Sequence, residues 1–170
     1  MAPDGAEPAT ASPRGPGPWT ALGRGIGWAL AAGGGAGLIP GVPGTAGSLL
    51  ALGIYLAVPY PGDALYLTAV LALFLLGIPL STWAEGRSGR GDDPRIVWDE
   101  MVGMWVALYA IAPNVYFVPA AFVLFRVFDI WKPFGEPGQR GFGIMLDDLL
   151  AGVAANICLQ IALWLAGAFL

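Results

Sequence analysis

The chain has 170 residues, is 56% hydrophobic and 12% charged, and carries a formal net charge of −4. That charged share is about half the usual one and leaves too little polar surface for a soluble domain of this size, so an integral membrane protein is expected. With no histidine and one cysteine, a Ser-His triad, a phosphohistidine, a histidine-bound zinc and an internal disulfide are excluded, and the acidic balance argues against nucleic acid as a partner.

Residues 1–18, rich in Pro, Ala and Gly, cannot bury a core and are expected to be a disordered tail. They lack the basic start and apolar centre of a signal peptide. The membrane domain is then expected over 19–170. Residues 19–39 are apolar but contain Gly33, Gly34, Gly35 and Gly37, which predicts a short or broken helix at the membrane or dipping into it. In LIPGVPGTAGS, at 38–48, Pro40 and Pro43 bar a continuous helix, and Thr45 or Ser48 is placed to cap a helix from Leu49. A Gly-rich turn entering a helix presents free N–H groups that suit phosphate; the plainer alternative is an ordinary turn between helices.

A helix over 49–58 ends at the turn signal Pro59–Asp63, and 64–84 is long enough to span a bilayer. Residues 85–95 read as a polar loop. Helical sequence over 96–112 is broken by Pro113-Asn114 and resumes over 115–131. A second polar loop covers 132–143, and a final spanning helix starts at Ile144 or Asp147. Cys158, inside that last run, is expected to be a small core residue. If every break reverses the chain, the segments 38–47, 85–99 and 126–148 share one side, with Arg87, Arg90, Arg95, Arg126, Lys132 and Arg140. The opposite turns carry no Lys or Arg, so the charged side is expected to be cytoplasmic. The fold expected is all-α: a polytopic membrane helical bundle with short or broken helices and one charged cytoplasmic face. A single span over 101–125 competes with this hairpin and would separate Asp99 and Glu100 from Asp129 by about 30 Å.

Three acidic clusters flank the apolar runs: Asp99-Glu100, Asp129 with Arg126 and Lys132, and Asp147-Asp148. Carboxylates beside long apolar stretches are costly unless paired, hydrogen-bonded or metal-bound. Adjacent acids on a helix point about 100° apart. Glu100 shares a stripe with Gly103 and Ala107, and Asp148 shares one with Gly152 and Ala155; small-residue stripes let helices approach closely. Glu100, Asp129 and Asp148 are therefore ranked as inner acids, with Asp99 and Asp147 as further ligands, caps or supporting groups. Converging carboxylates suit a hard cation such as Mg²⁺, and Arg126 and Lys132 beside it suit a phosphate. The bland alternative is acids favoured by helix dipoles and a plain Arg126–Asp129 pair.

PGTAGS at 43–48, IVWDEMVGMW at 96–105, FRVFDIWKP at 125–133 and GFGIMLDDLLAG at 141–152 closely resemble the phosphatidylglycerophosphatase A family, in order and spacing. The likeness runs from about residue 19 to the C-terminus. One departure is the short FGEPGQRGFG after Lys132-Pro133, where the resemblance leads to the expectation of a more aromatic and Pro-rich run followed by a longer loop. The resemblance implies a multi-pass protein of the bacterial inner membrane, and a Mg²⁺-dependent lipid phosphatase of phospholipid biosynthesis. Its reaction would convert phosphatidylglycerophosphate to phosphatidylglycerol and phosphate. It places the family's acids at Asp99, Glu100, Asp129, Asp147 and Asp148, its cations at Arg126 and Lys132, and its Gly-Thr-x-Gly-Ser at Gly44, Thr45, Gly47 and Ser48. The expected roles are metal binding by Glu100, Asp129 and Asp148, action on water by Asp99 or Asp147, and phosphate binding by the cations and the glycine-rich segment. An aspartyl nucleophile is the rival mechanism. A phosphatidyl-transferring enzyme would carry an Asp-Gly…Ala-Arg motif that is absent, and a transporter or cation-binding protein would string its acids across the midplane.

Overall fold

The computed structural model describes residues 18–89, 93–131 and 141–169. They form six helices and one 3₁₀ segment, with no strand among the described residues. The helices are α1 (Pro18–Ala31), α2 (Pro43–Ala57), α3 (Asp63–Ser88), α4 (Trp98–Ala107), α5 (Phe117–Trp131) and α6 (Gly141–Phe169); the 3₁₀ segment, Gly33–Leu38, follows α1. Apart from Pro18, the tail expected at 1–18 lies outside the described residues. So does most of the loop expected at 132–143, and with it Lys132.

The short helix α4 is the centre of the bundle. It packs against α2, α3, α5 and, most extensively, α6. Met101, Val102, Gly103, Met104 and Ala107 are all buried, so α4 is covered on every side, as a helix apolar all round should be. Its partners in the core include Phe74 of α3, Phe125 of α5, and Met145, Ala151 and Ala155 of α6.

Helix α4 ends at Ala107, not near residue 112 as the apolar run suggested. The chain then turns through an irregular segment in which Ala110 takes φ 55°. Carbonyls released there need partners if they lie away from water. Side chains from three other helices provide them. Asn156 of α6 donates to the carbonyls of Ala107 and Tyr109, at 3.1 and 2.7 Å. Tyr66 of α3 donates to Trp105 O at 2.6 Å, and Tyr55 of α2 donates to Ile111 O. The chain turns back here, so 101–125 is not a single span and the hairpin arrangement holds.

Two helix starts differ from expectation. Helix α2 begins at Pro43, not Leu49, because proline is tolerated in a first turn, where its missing N–H costs nothing. Thr45 and Ser48 therefore lie inside α2 and do not cap it; no side chain caps Val42. Helix α6 begins at Gly141, which puts Asp147 and Asp148 in its second turn. A Cβ at Gly141 would collide with Thr82 and the Ile78 carbonyl of α3, so the glycine lets these helices touch. The glycine run after α1 folds as the 3₁₀ segment, with Gly34 and Gly35 at positive φ.

Polarity is inverted relative to a soluble protein. Leu65, Leu71 and Leu75 of α3 and Ile157, Ile161 and Trp164 of α6 are exposed, whereas Ser48, Ser81, Asp93, Asp99 and Asp148 are buried. So large an exposed apolar surface suits lipid. Helices α3 and α6 are both long and apolar enough to cross a membrane. Cys158, expected in the core, is exposed on α6, because the last apolar run has an outer apolar face as well as an inner one.

The segment before α4 is pinned to α1. Val97 N donates to Ala31 O at 2.9 Å, and a Cβ at Gly37 would collide with the Arg95 carbonyl. Asp93, almost fully buried, receives Arg95 Nε at 2.9 Å and Arg95 Nη2 at 2.6 Å. The guanidinium holds the Asp93 carboxyl down at about 2.

Candidate active site

Four helix ends converge beside α4. The first turn of α4 brings Asp99 and Glu100, the second turn of α6 brings Asp147 and Asp148, the last turns of α5 bring Arg126 and Asp129, and the first turn of α2 brings Gly44. What lets α4 and α6 meet so closely is glycine on both. A Cβ at Gly103 would lie 2.5 Å from the Asp148 carbonyl oxygen, and one at Gly152 would collide with the Gly103 carbonyl. The two small-residue stripes read from the sequence thus face one another. Each lies one turn from its carboxylate.

One oxygen from each of Asp99, Glu100 and Asp148 lies within 4.8 Å of the others. Asp99 and Asp148 are buried and Glu100 is half-buried. Asp99 Oδ1 and Glu100 Oε2 are buried without a hydrogen-bond partner. Two unit charges at that spacing repel by about 3 kcal/mol even at an effective dielectric near 20. Three such pairs are untenable unless protons or a cation offset them. The donor set is all carboxylate oxygen, and cations of that preference bind oxygens at roughly 2.0–2.6 Å, which spans ligand oxygens up to about 4–5 Å apart. The orphaned buried oxygens and their spacing fit a hard divalent ion.

Asp129 stands beside this triad and forms an ion pair with Arg126. It lies within electrostatic reach of Asp148, Asp99 and Glu100. Arg126 is mostly buried, and its Nε has no partner. The cluster therefore holds Asp99 where the residue pattern ranked Asp129. Asp147, half-buried, sits on the neighbouring face of α6.

The glycine-rich segment divides in two. A Cβ at Gly44 would collide with Glu100 Oε1 and lie 3.2 Å from Arg126 Nη1, so the start of α2 abuts the site. The amide of Ala46 makes the bond to Val42 O that opens the helical ladder, so the N–H groups of Gly44 and Thr45 precede that ladder. Gly47 instead packs against Val97, and the buried Ser48 hydroxyl donates to Gly44 O at 2.9 Å. Those two residues shape α2 and do not face the acids. Asn156, which fixes the far end of α4, was not singled out from the sequence; its signal is an amide four residues before Gln160 within an otherwise apolar run.

Comparison with known proteins agrees with this arrangement. The family model described as phosphatidylglycerophosphatase A matches residues 29–163. A provisionally named phosphatidylinositol-3-phosphatase of Bacteroides thetaiotaomicron is 44% identical over 140 residues, covering 75% of this chain and 87% of the relative. The phosphatidylglycerophosphatase A of Escherichia coli is 41% identical over 122 residues, covering 68% and 71%, and that of Haemophilus influenzae 42% over 128 residues, covering 71% and 78%. No solved structure gives a significant match. The match extends over all four converging helix ends, and the chain belongs to the phosphatidylglycerophosphatase A family.

Proposed function

We propose that this protein is a lipid phosphatase that releases phosphate from phosphatidylglycerophosphate in a Mg²⁺-dependent reaction at the cytoplasmic face of a bacterial inner membrane. The observation that carries this reading is the buried Asp99–Glu100–Asp148 cluster with its orphaned oxygens beside Arg126. Mg²⁺ held by Asp99, Glu100 and Asp148 would neutralise the acids and polarise a phosphoryl oxygen.

The chain's own groups do the rest. Arg126 binds the terminal phosphate of the lipid and stabilises the charge that builds on its oxygens. Asp129 orients Arg126 through their ion pair. The N–H groups of Gly44 and Thr45, at the positive end of the α2 dipole, would meet the same phosphate. Lys132, the residue after α5 in sequence, is the second cation of this reading. Of the two acids expected to act on water, Asp99 is taken up by the cluster, which leaves Asp147 to orient or deprotonate the attacking water. Clustering at helix ends, with the long apolar faces of α3 and α6 beyond them, suits an interfacial lipid phosphatase better than a transporter. The bundle is read as multi-pass, with the ends bearing Arg87, Arg95 and Arg126 inward.

The substrate test compares phosphatidylglycerophosphate with phosphatidylinositol 3-phosphate in mixed micelles, measuring phosphate release by purified protein. Faster release from phosphatidylglycerophosphate is expected. Preference for the inositol lipid would move the substrate while keeping the phosphatase. Release from neither by folded protein would refute the reading.

A further inference from the structure

A cleft of about 700 Å³ lies between α1 and α3, and no residue of the acidic cluster lines it. Leu30, Leu76, Leu80 and Trp83 give it apolar walls, Arg24 and Arg87 also line it, and no acid does among the described residues. Both arginines are exposed, and neither has an ion-pair partner among the described residues. Arg87 lies over the Trp83 ring, 5.0 Å from its centre, which holds the guanidinium at the cleft. Gly27 seats α1 against the same ring, since a Cβ there would come within 2.7 Å of it. From Leu76 to Arg87 the α3 wall runs about 16 Å, apolar at one end and cationic at the other.

A ligand matching this cleft is an amphiphile with an anionic head. Guanidinium groups pair bidentately with phosphate oxygens, and basic residues at an anionic membrane surface each add to the attraction. A cationic head would be repelled, and a zwitterionic one would bring its amine towards two arginines. We propose that the α1–α3 cleft binds an anionic phospholipid of the surrounding bilayer. Its phosphate sits between Arg24 and Arg87, and one acyl chain lies along Leu30, Leu76 and Leu80. This lipid is separate from the one being hydrolysed. The inference rests on the membrane setting and not on the phosphatase chemistry.

The test is photo-crosslinking of the full chain, reconstituted in phosphatidylcholine vesicles doped with phosphatidylserine carrying a diazirine in one acyl chain. This lipid is anionic and has no phosphomonoester to hydrolyse. Labelled peptides from α1 and α3 are expected, falling at least fivefold in Arg24→Gln/Arg87→Gln and in Leu80→Trp, which fills the cleft but keeps both arginines. Labelling should persist in Asp129→Asn, which separates this cleft from the candidate active site. Equal labelling by a phosphatidylcholine probe, or unchanged labelling in both cleft variants, would overturn the proposal by showing ordinary contact with boundary lipid.

Discussion

Adding one methyl group at Gly103 should disable the site without touching any polar residue. In the native packing a Cβ at 103 would sit 2.5 Å from the Asp148 carbonyl oxygen and 2.7 Å from the Phe125 ring. Ordinary contact needs about 1 Å more. The neighbours that must yield are the backbone of α6 and a fully buried aromatic ring, neither of which can simply rotate away. The expected result is a displacement of α6 from α4 by about 1 Å, at the residue that carries one of the three clustered carboxylates. Overpacking of this kind costs about 1–3 kcal/mol of stability, and a 1 Å misplacement of reacting groups costs about 100-fold in rate. Gly53→Ala is the control, since a Cβ there meets nothing within 4 Å and alanine favours a helix. Phosphate release and thermal unfolding in detergent should be measured for both variants. Gly103→Ala with the activity and unfolding midpoint of wild type would refute the claim that close α4–α6 contact sets the cluster.

Other expectations follow from the same contacts. Gly44→Ala drives a methyl group into Glu100 and against Arg126, so phosphate release should fall at least tenfold, whereas Ser48→Ala removes only a bond within α2 and should leave KM unchanged. Asn156→Leu removes the side-chain donor to the Ala107 carbonyl and leaves the Tyr109 carbonyl with only the 3.4 Å bond from Gln160; it should cost about 1–2 kcal/mol, read as a lower unfolding midpoint in detergent. Asp93 is held at about 2 by Arg95, below its ordinary value near 3.9. Its carboxylate therefore adds stability that is fully present above pH about 4 and is lost as pH falls towards 2. Asp93→Asn should flatten the pH dependence of unfolding across that window. Asp148→Asn removes repulsion within the cluster, so in chelator it should unfold no more easily than wild type while losing activity, the pattern of a site whose charges serve function over stability.

The sequence carried the convergence of the acidic helix ends better than it carried the helix boundaries. Spacing alone set Glu100 with Gly103 and Asp148 with Gly152, because small residues one turn from an acid leave few other uses for that face. The break near residue 113 was also legible, since proline and asparagine punctuate an apolar run. Where α4 stops was not. Ala107 ends the helix because Asn156, 49 residues away in sequence, satisfies the freed carbonyl, and no local signal records such a partner. The start of α2 at Pro43 was hidden for a related reason: proline ends one helix and starts another with equal ease, and only the path of the chain decides. The inclusion of Asp99 in the cluster depends on how α4 is rotated against α6, which the 100° step between neighbours cannot fix for a helix buried on all sides.

The most direct test of the account is phosphate release from phosphatidylglycerophosphate by detergent-purified protein, titrated with Mg²⁺ after chelation, for wild type and Asp148→Asn. The account predicts that wild-type activity is abolished by the chelator and restored by Mg²⁺, and that folded Asp148→Asn stays at least 100-fold lower at every Mg²⁺ concentration. Wild-type activity that persists in chelator, together with an Asp148→Asn variant of equal activity, would contradict the assignment of the buried acids as the cation site of this reaction.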